Sequence, residues 1–371
     1  MKAAVLLAPD DVAVVDDLPE PSCGPLDVVV AVHGVGLCGS DLAVVAGRRQ
    51  VPALPWVLGH EAFGVIVATG DEVADRFPGQ RVVIEPNYPC LRCEACRTGA
   101  TAGCHHRRAA GITEPGLLAE RVAVPARFTW PVPESWDDAD AVCVEPFTVA
   151  LNAVRMSGLA KGDRCLVVGA GSQGLLVSMA VTHAGGVPYI VEPHEGRRAL
   201  ALELGAHDAA APAAGTAFPA VIETSGAPEA FEEALGRAAP GGSLIAVGQS
   251  PRPARLSTFT LVQQRLTVRG CLIYDHPADF PRTIALLDEH GLHPGRVLRE
   301  RFDLAEAPKA FARAAEIAGK TWISIAPGAT APGTPRAGSA GTGSARGGTT
   351  PHAPRAGSAG TSRPRNEEMP S

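Results

Sequence analysis

Short apolar runs broken by Gly, Pro and Asp dominate the first 147 residues. Ala3–Leu7, Val28–Val32, Val65–Ala68 and Arg81–Ile84 are each too short for an ordinary helix. Their close turn signals predict the strands of a compact antiparallel or barrel-like β domain. From about Thr148 the rhythm changes. RCLVV (Arg164–Val168) precedes a glycine loop and a helical stretch, Ser172–Ala184, and VPYIV (Val187–Val191) precedes a second helix, Glu195–Leu204. PAVIE (Pro219–Glu223) then leads into a helix over Glu229–Arg237, and SLIAV (Ser243–Val247) follows. Strands alternating with helices at this spacing predict βαβ units and a parallel sheet. After about Asp279 helix and strand return, ending in KTWISIA near Ala326. The expected division is therefore 1–147, 148–278, 279–327 and a different tail, 328–371.

That tail is Gly, Ala, Pro, Ser, Thr and Arg with almost no large apolar residue, and it repeats PRAGSAGT at Pro335–Thr342 and Pro354–Thr361. Such a segment buries too little surface to offset its ordering entropy and is expected to be disordered. Elsewhere 46% hydrophobic residues in 371 suffice for two cores. A formal net charge of -6 argues against a nucleic-acid binder, since no basic surplus exists to neutralise phosphates. Neither a membrane span of ~20 apolar residues nor a signal peptide is evident. A cytoplasmic protein is expected, in which nine cysteines bind metal or sit buried instead of forming disulfides.

Four of them, Cys90, Cys93, Cys96 and Cys104, form a C-x2-C-x2-C-x7-C pattern. Zn2+ takes four thiolates in a tetrahedron, and short spacings let one loop wrap the ion. With every position filled such a metal is structural. An iron–sulfur cluster is the rival, although its loops usually show other spacings.

GAGSQG, with Gly169, Ser172, Gln173 and the glycines at 171 and 174, fits G-x-G-x-x-G. It follows a strand, opens a helix, and has an acidic residue, Glu192, 18 residues after Gly174 at the end of the next strand. In that context the pattern is a dinucleotide fingerprint, with the helix N-terminus facing the pyrophosphate. Glu192 would accept the adenosine ribose hydroxyls and repel a 2'-phosphate, so NAD is favoured over NADP. ETSG (Glu223–Gly226) and VGQ, with Val247 and Gly248, end later strands where the nicotinamide should lie.

Isolated ligand-type residues occur in GLCGSDL (Cys38), GHEAFG (His60, Glu61) and VEPFTVAL (Glu145). Singly, each could be a core or helix-start residue. Their order around the cysteine loop and the glycine loop resembles the zinc-dependent medium-chain alcohol dehydrogenases over about residues 1–326, with Glu145 similar to the polyol, threonine and aminocyclitol dehydrogenase branch. The resemblance implies a GroES-like catalytic domain and a Rossmann domain. It also implies a catalytic zinc on Cys38, His60 and Glu145, with Glu61 a fourth, yielding ligand or a neighbour of the ligands. Three protein ligands and an exchangeable position are what catalytic zinc requires.

By the same resemblance Asp41 accepts the other ring N–H of His60, Ser40 relays the alcohol proton, Arg197 lies along the adenosine, and Tyr274 lines the substrate pocket. Leu42 and Ala43 stand where many relatives carry a His, and Ile273 where polyol dehydrogenases often show Arg. The expected activity is NAD-dependent oxidation of a secondary hydroxyl of a polyol, sugar or aminocyclitol, as in aminoglycoside-type biosynthesis, by a homodimer or homotetramer. The rival readings are an NADPH-dependent carbonyl reductase and a non-catalytic NAD-binding regulatory protein.

Overall fold

Ten residues, Asp27–Gly36, form the strand on which the N-terminal region is built. It pairs antiparallel with Glu61–Thr69, with Arg121–Pro125 and, from the far end of the chain, with Lys320–Ser324. The computed structural model describes residues 1–209 and 217–325; the tail at 328–371 lies outside the described residues, as does Ala326. Within those residues the sheet runs Thr129–Pro131, Arg81–Ile84, Glu61–Thr69, Asp27–Gly36, Lys320–Ser324, Leu298–Asp303. Its pairs are antiparallel except the last, which is parallel. Val28, Val30, Val35, Ile66, Leu118 and Ile323 meet in its core. The strand Ala3–Ala8, flanked by Asp11–Val15 and Trp56–Val57, forms a separate small antiparallel sheet.

The middle of the chain forms a six-stranded, all-parallel sheet. Numbered along the sequence from Arg164–Val168, its spatial order is 3-2-1-4-5-6, the doubly wound arrangement of dinucleotide-binding sheets. RCLVV reads as an unbroken apolar run because both of its faces are covered. Cys165 and Val167 point into one core cluster, and Leu166 and Val168 into the other. The order reverses between strands Arg164–Val168 and Phe218–Glu223, and ligands bind in the crevice such a reversal opens at the carboxyl ends of the strands.

The helix Val144–Ser157 is buried along most of its length and packs against the helices Ser172–His183 and Asp279–His290. It ends where Gly158 takes a left-handed conformation (φ 69°), which closes helices at no Cβ cost. Its first turn carries Glu145. A helix N-terminus favours a carboxylate there. Among the described residues no helix is long and apolar enough to cross a membrane.

Candidate active site

The four-cysteine loop is made by short-range turns: Cys93 starts the helix Glu94–Arg97, and a 3-10 turn at Thr101–Gly103 delivers Cys104. The sulfurs lie 3.5 Å (Cys93–Cys96), 3.9 Å (Cys93–Cys104) and 4.0 Å (Cys90–Cys96) apart. A tetrahedron with metal–sulfur bonds of about 2.3 Å has edges of about 3.8 Å, so the cage fits zinc. The Cys90 amide donates to Cys104 Sγ at 3.3 Å. Backbone N–H groups, chiefly that of Arg92, pull the Cys90 thiol down to about 6, which favours the thiolate a metal needs.

Cys38, His60 and Glu61 form the second cluster, their ligand atoms all within 4.8 Å of one another. Cys38 caps the helix Gly39–Val45, and Asp41 in its first turn does two things. Its Oδ2 accepts from the Cys38 amide at 3.0 Å, and its Oδ1 accepts from His60 Nδ1 at 3.0 Å. The carboxylate thereby turns His60 Nε2 towards the cluster and fixes which nitrogen is free to ligate. Burial disfavours a charged imidazole, but Asp41 outweighs it and holds His60 well above the usual histidine range. Ser40 Oγ lies 3.3 Å from the same Nε2.

Glu61 opens its strand opposite Gly36. A Cβ at Gly36 would fall 2.2 Å from Glu61 Oε2 and 2.9 Å from the Lys320 stem, so only glycine leaves room for this pair. Lys320 Nζ is 2.5 Å from Glu61 Oε2 and donates to the Leu37 carbonyl at 3.0 Å. The contact with Oε2 is off the line of a well-formed hydrogen bond; at that distance, with both side chains at most 1% exposed, it is an ion pair all the same. Burial disfavours the ammonium, yet Glu61 raises the Lys320 pKa above its ordinary value. Glu61 Oε1 is buried with no hydrogen-bond partner. Orphaned buried carboxylate oxygens are rare, and with a thiol and an imidazole beside it this one completes a sulfur–nitrogen–oxygen donor set that fits zinc.

Glu145 lies outside that tight cluster. It is buried and close enough to interact electrostatically with His60 and Glu61. Burial lifts its carboxyl to about 7, Glu61 adds to the rise, and His60 and the Tyr274 hydroxyl pull against it. Tyr274 is itself 2% exposed, its Oη accepting from Asn87 Nδ2 at 3.1 Å. Sequence reasoning missed Lys320, Asn87 and the closeness of Tyr274 to Glu145. A lysine inside the otherwise buried strand KTWIS is the signal that could have exposed the first.

In the glycine loop, Gly169 takes φ 95° and Gly171 caps the helix Ser172–His183. A Cβ on Gly174 would sit 1.9 Å from the Gly169 carbonyl oxygen, whereas one on Gly171 would meet nothing within 4 Å. One glycine permits close packing of loop on helix, and the other leaves an open cradle at a helix N-terminus, which suits a pyrophosphate. Glu192 Oε2 accepts from the Ala170 amide at 2.7 Å and Oε1 from the His194 amide at 2.9 Å. Gln173 Nε2 donates to the Pro146 carbonyl at 3.2 Å, tying this loop to the helix of Glu145. The Val247 and Gly248 amides donate to the Glu223 carbonyl at 2.8 and 3.1 Å. Arg197 turns to the Ala315 carbonyl, and Arg198 lies 3.8 Å from Asp208. His105 and His106 are exposed.

Known proteins resemble this chain over most of its length. Residues 24–134 match the family model of the alcohol dehydrogenase GroES-like domain, and residues 173–289 that of the zinc-binding dehydrogenases. The chain is 31% identical over 343 residues to the D-xylulose reductase of Morganella morganii, across 85% of this chain and 98% of that one. The alcohol dehydrogenase RspB of Escherichia coli CFT073, complexed with NADH, matches with a TM-score of 0.80 at 26% identity, over 88% of this chain and 99% of that chain. A Sinorhizobium meliloti 1021 structure described as a zinc-binding dehydrogenase, bound to NADP, matches with a TM-score of 0.80 at 28% identity, over 87% and 99%. Zinc and a nicotinamide dinucleotide are its cofactors. The chain belongs to the zinc-dependent medium-chain alcohol dehydrogenases, in their polyol- and threonine-dehydrogenase-like branch, and is an oxidoreductase.

Proposed function

We propose that this enzyme oxidises a secondary hydroxyl of a polyol, sugar or aminocyclitol to a ketone with NAD as acceptor. The observation that carries the reading is the cluster of Cys38, His60 and Glu61, whose ligand atoms lie within 4.8 Å of one another, with Glu61 Oε1 buried and unpartnered and Ser40 Oγ 3.3 Å from His60 Nε2. Cys38, His60 and Glu145 hold the catalytic zinc, and Glu61 is the ligand that yields or stays near. When bound, the metal acidifies an alcohol as it does water, whose pKa falls from about 15.7 to about 7.

The protein's own groups do the rest. Ser40 Oγ accepts the substrate proton while passing its own hydroxyl proton on to solvent. Cys38 and His60 fix the substrate oxygen in reach of that hydroxyl, and burial of Glu145 keeps bulk water away from its side of the pocket. Each Glu192 oxygen already accepts one backbone N–H, which leaves lone pairs for ribose hydroxyls and a charge that disfavours a 2'-phosphate. Tyr274 supports the pocket wall, and Arg197 serves the adenosine side only by leaving the Ala315 carbonyl it now holds. Residues 1–147 with 279–327 form the catalytic unit and 148–278 the dinucleotide unit, a division supported by the pairing of Lys320–Ser324 with Asp27–Gly36.

The assembly is read as a homo-oligomer. The edge strand Thr267–Gly270 is flanked by the helix Thr258–Gln264, whose Phe259 and Val262 are each 72% exposed, and by the exposed Leu272. A secondary-metabolic setting such as aminoglycoside-type biosynthesis fits a polyhydroxylated ring substrate.

A panel of polyols, sugars, aminocyclitols and amino alcohols, each with NAD+ and NADP+, tests the reading by the absorbance of the reduced nicotinamide. Turnover on a secondary polyol alcohol with NAD+ preferred is expected. A strong NADP+ preference, or activity confined to simple primary alcohols, would overturn it.

A further inference from the structure

Tyr274 sits on a segment held at both ends. On one side, Asn152 of the Glu145 helix donates to the Ile273 carbonyl. On the other, the four-cysteine loop grips the next two residues. The Ala102 amide donates to Asp275 Oδ1 at 2.8 Å, and Thr101 Oγ1 accepts from the His276 amide at 2.6 Å while donating to the His276 carbonyl at 3.2 Å. Thr101 is 3% exposed. The His276 ring is held in turn by Glu85, 2.9 Å away, which also accepts from Trp130 Nε1 at 2.8 Å.

Between these anchors the phenol has little freedom. Its ring stands edge-on to Phe280 with centroids 5.2 Å apart. A tyrosine hydroxyl carries one proton. Oη accepts from Asn87, so its own proton points elsewhere, and the buried Glu145 carboxyl is near enough to Tyr274 for each group to shift the other's pKa. A tyrosine has only two side-chain torsions, so its hydroxyl goes where the backbone of residues 273–276 puts it.

We propose that Thr101 and Asp275 are positioning residues through which the four-cysteine loop sets the Tyr274 hydroxyl against Glu145. This rests on the reading of Glu145 as a ligand of the catalytic zinc. The loop, which has no open metal position of its own, then acts on the chemistry by fixing the phenol beside that carboxylate. Partners of this kind typically contribute about 10–100-fold to metal affinity or activity.

The test uses the full zinc-loaded chain and four variants: Tyr274→Phe, Thr101→Val, Asp275→Ala and Glu145→Gln, with Thr101→Val and Asp275→Ala also made in the Tyr274→Phe background. Two quantities are read, the rate at which a chelator strips each zinc and the separate kcat and KM on the best polyol. Tyr274→Phe is expected to speed loss of the catalytic-site zinc and lower kcat by about 10-fold or more. Thr101→Val and Asp275→Ala should each move both quantities the same way by roughly threefold or more, and should add nothing once Tyr274 is Phe. Full additivity in that background, or a change in structural-zinc loss alone, overturns the proposal; if one of the two variants does not fold, the other decides. Glu145→Gln separates the failures. If it keeps its zinc, the ligand reading is wrong; if it loses zinc while Tyr274→Phe does not, the positioning role is wrong.

Discussion

The two metal sites of this chain are built in opposite ways. The four-cysteine loop draws every ligand from Cys90 to Cys104, and its sulfurs close a cage through one short helix and one 3-10 turn. The dispersed cluster takes Cys38 from a helix cap, His60 and Glu61 from the entry to a strand, and balances Glu61 with Lys320 from the end of the described chain. A closed cage asks only that a loop be short. An open position has to be walled by rigid elements, and the charges it buries must be matched there, which the chain does over long sequence distances. The cost of error differs accordingly, since a buried charge left alone is far more expensive than a loosened loop.

Substitutions can break that contrast. The largest effect is expected from His60→Ala, which removes the imidazole of the dispersed cluster, proposed above as a zinc ligand. Loss of several kcal/mol of transition-state stabilisation should lower kcat/KM by more than about a thousandfold, with one zinc still bound in the cysteine loop; steady-state kinetics beside metal analysis checks both halves. Next is Lys320→Met, which leaves Glu61 buried and unpaired. Urea denaturation should show a loss of about 3–5 kcal/mol, whereas a value near zero would mean the pair is dispensable to the fold. Smaller again is Asp41→Asn, which keeps the shape but weakens the hold on the His60 ring. A fall of about 10–100-fold in catalytic-site metal affinity or in turnover is expected, read by competition with a chelator. The smallest concerns the exposed face near the edge strand. Phe259→Glu with Val262→Glu should shift the mass measured by light scattering from oligomer towards monomer while leaving the monomer's melting temperature within a few degrees.

The same contrast explains what could be read from the sequence. The glycine loop, its flanking strand and helix, and the four cysteines are local features, because the residues that touch are neighbours in the chain. The parallel sheet followed from strands and helices alternating at a regular spacing: Arg164–Val168 and Val187–Val191 appear at their predicted bounds and Phe218–Glu223 starts one residue early, while the outer strands His207–Asp208 and Thr267–Gly270 carry no buried apolar run that could announce them. SLIAV is the exception: its strand begins earlier, at Ala238, because it continues pairing with Phe218 beyond the apolar run. Lys320 was not legible, for its partner lies some two-thirds of the chain away and its meaning depends on Gly36 leaving space for both. Tyr274 was expected at the pocket wall from resemblance. Its buried bond to Asn87 and its place beside Glu145 depend on a turn held from two other elements, which no local pattern encodes.

Metal content and turnover measured together on the wild type and on Cys38→Ser test the central claim most directly. The account predicts two zincs per chain in the wild type and one in the variant, with dehydrogenase activity lost and the thermal transition retained. Two zincs remaining in Cys38→Ser, or unchanged turnover with only one, would contradict it.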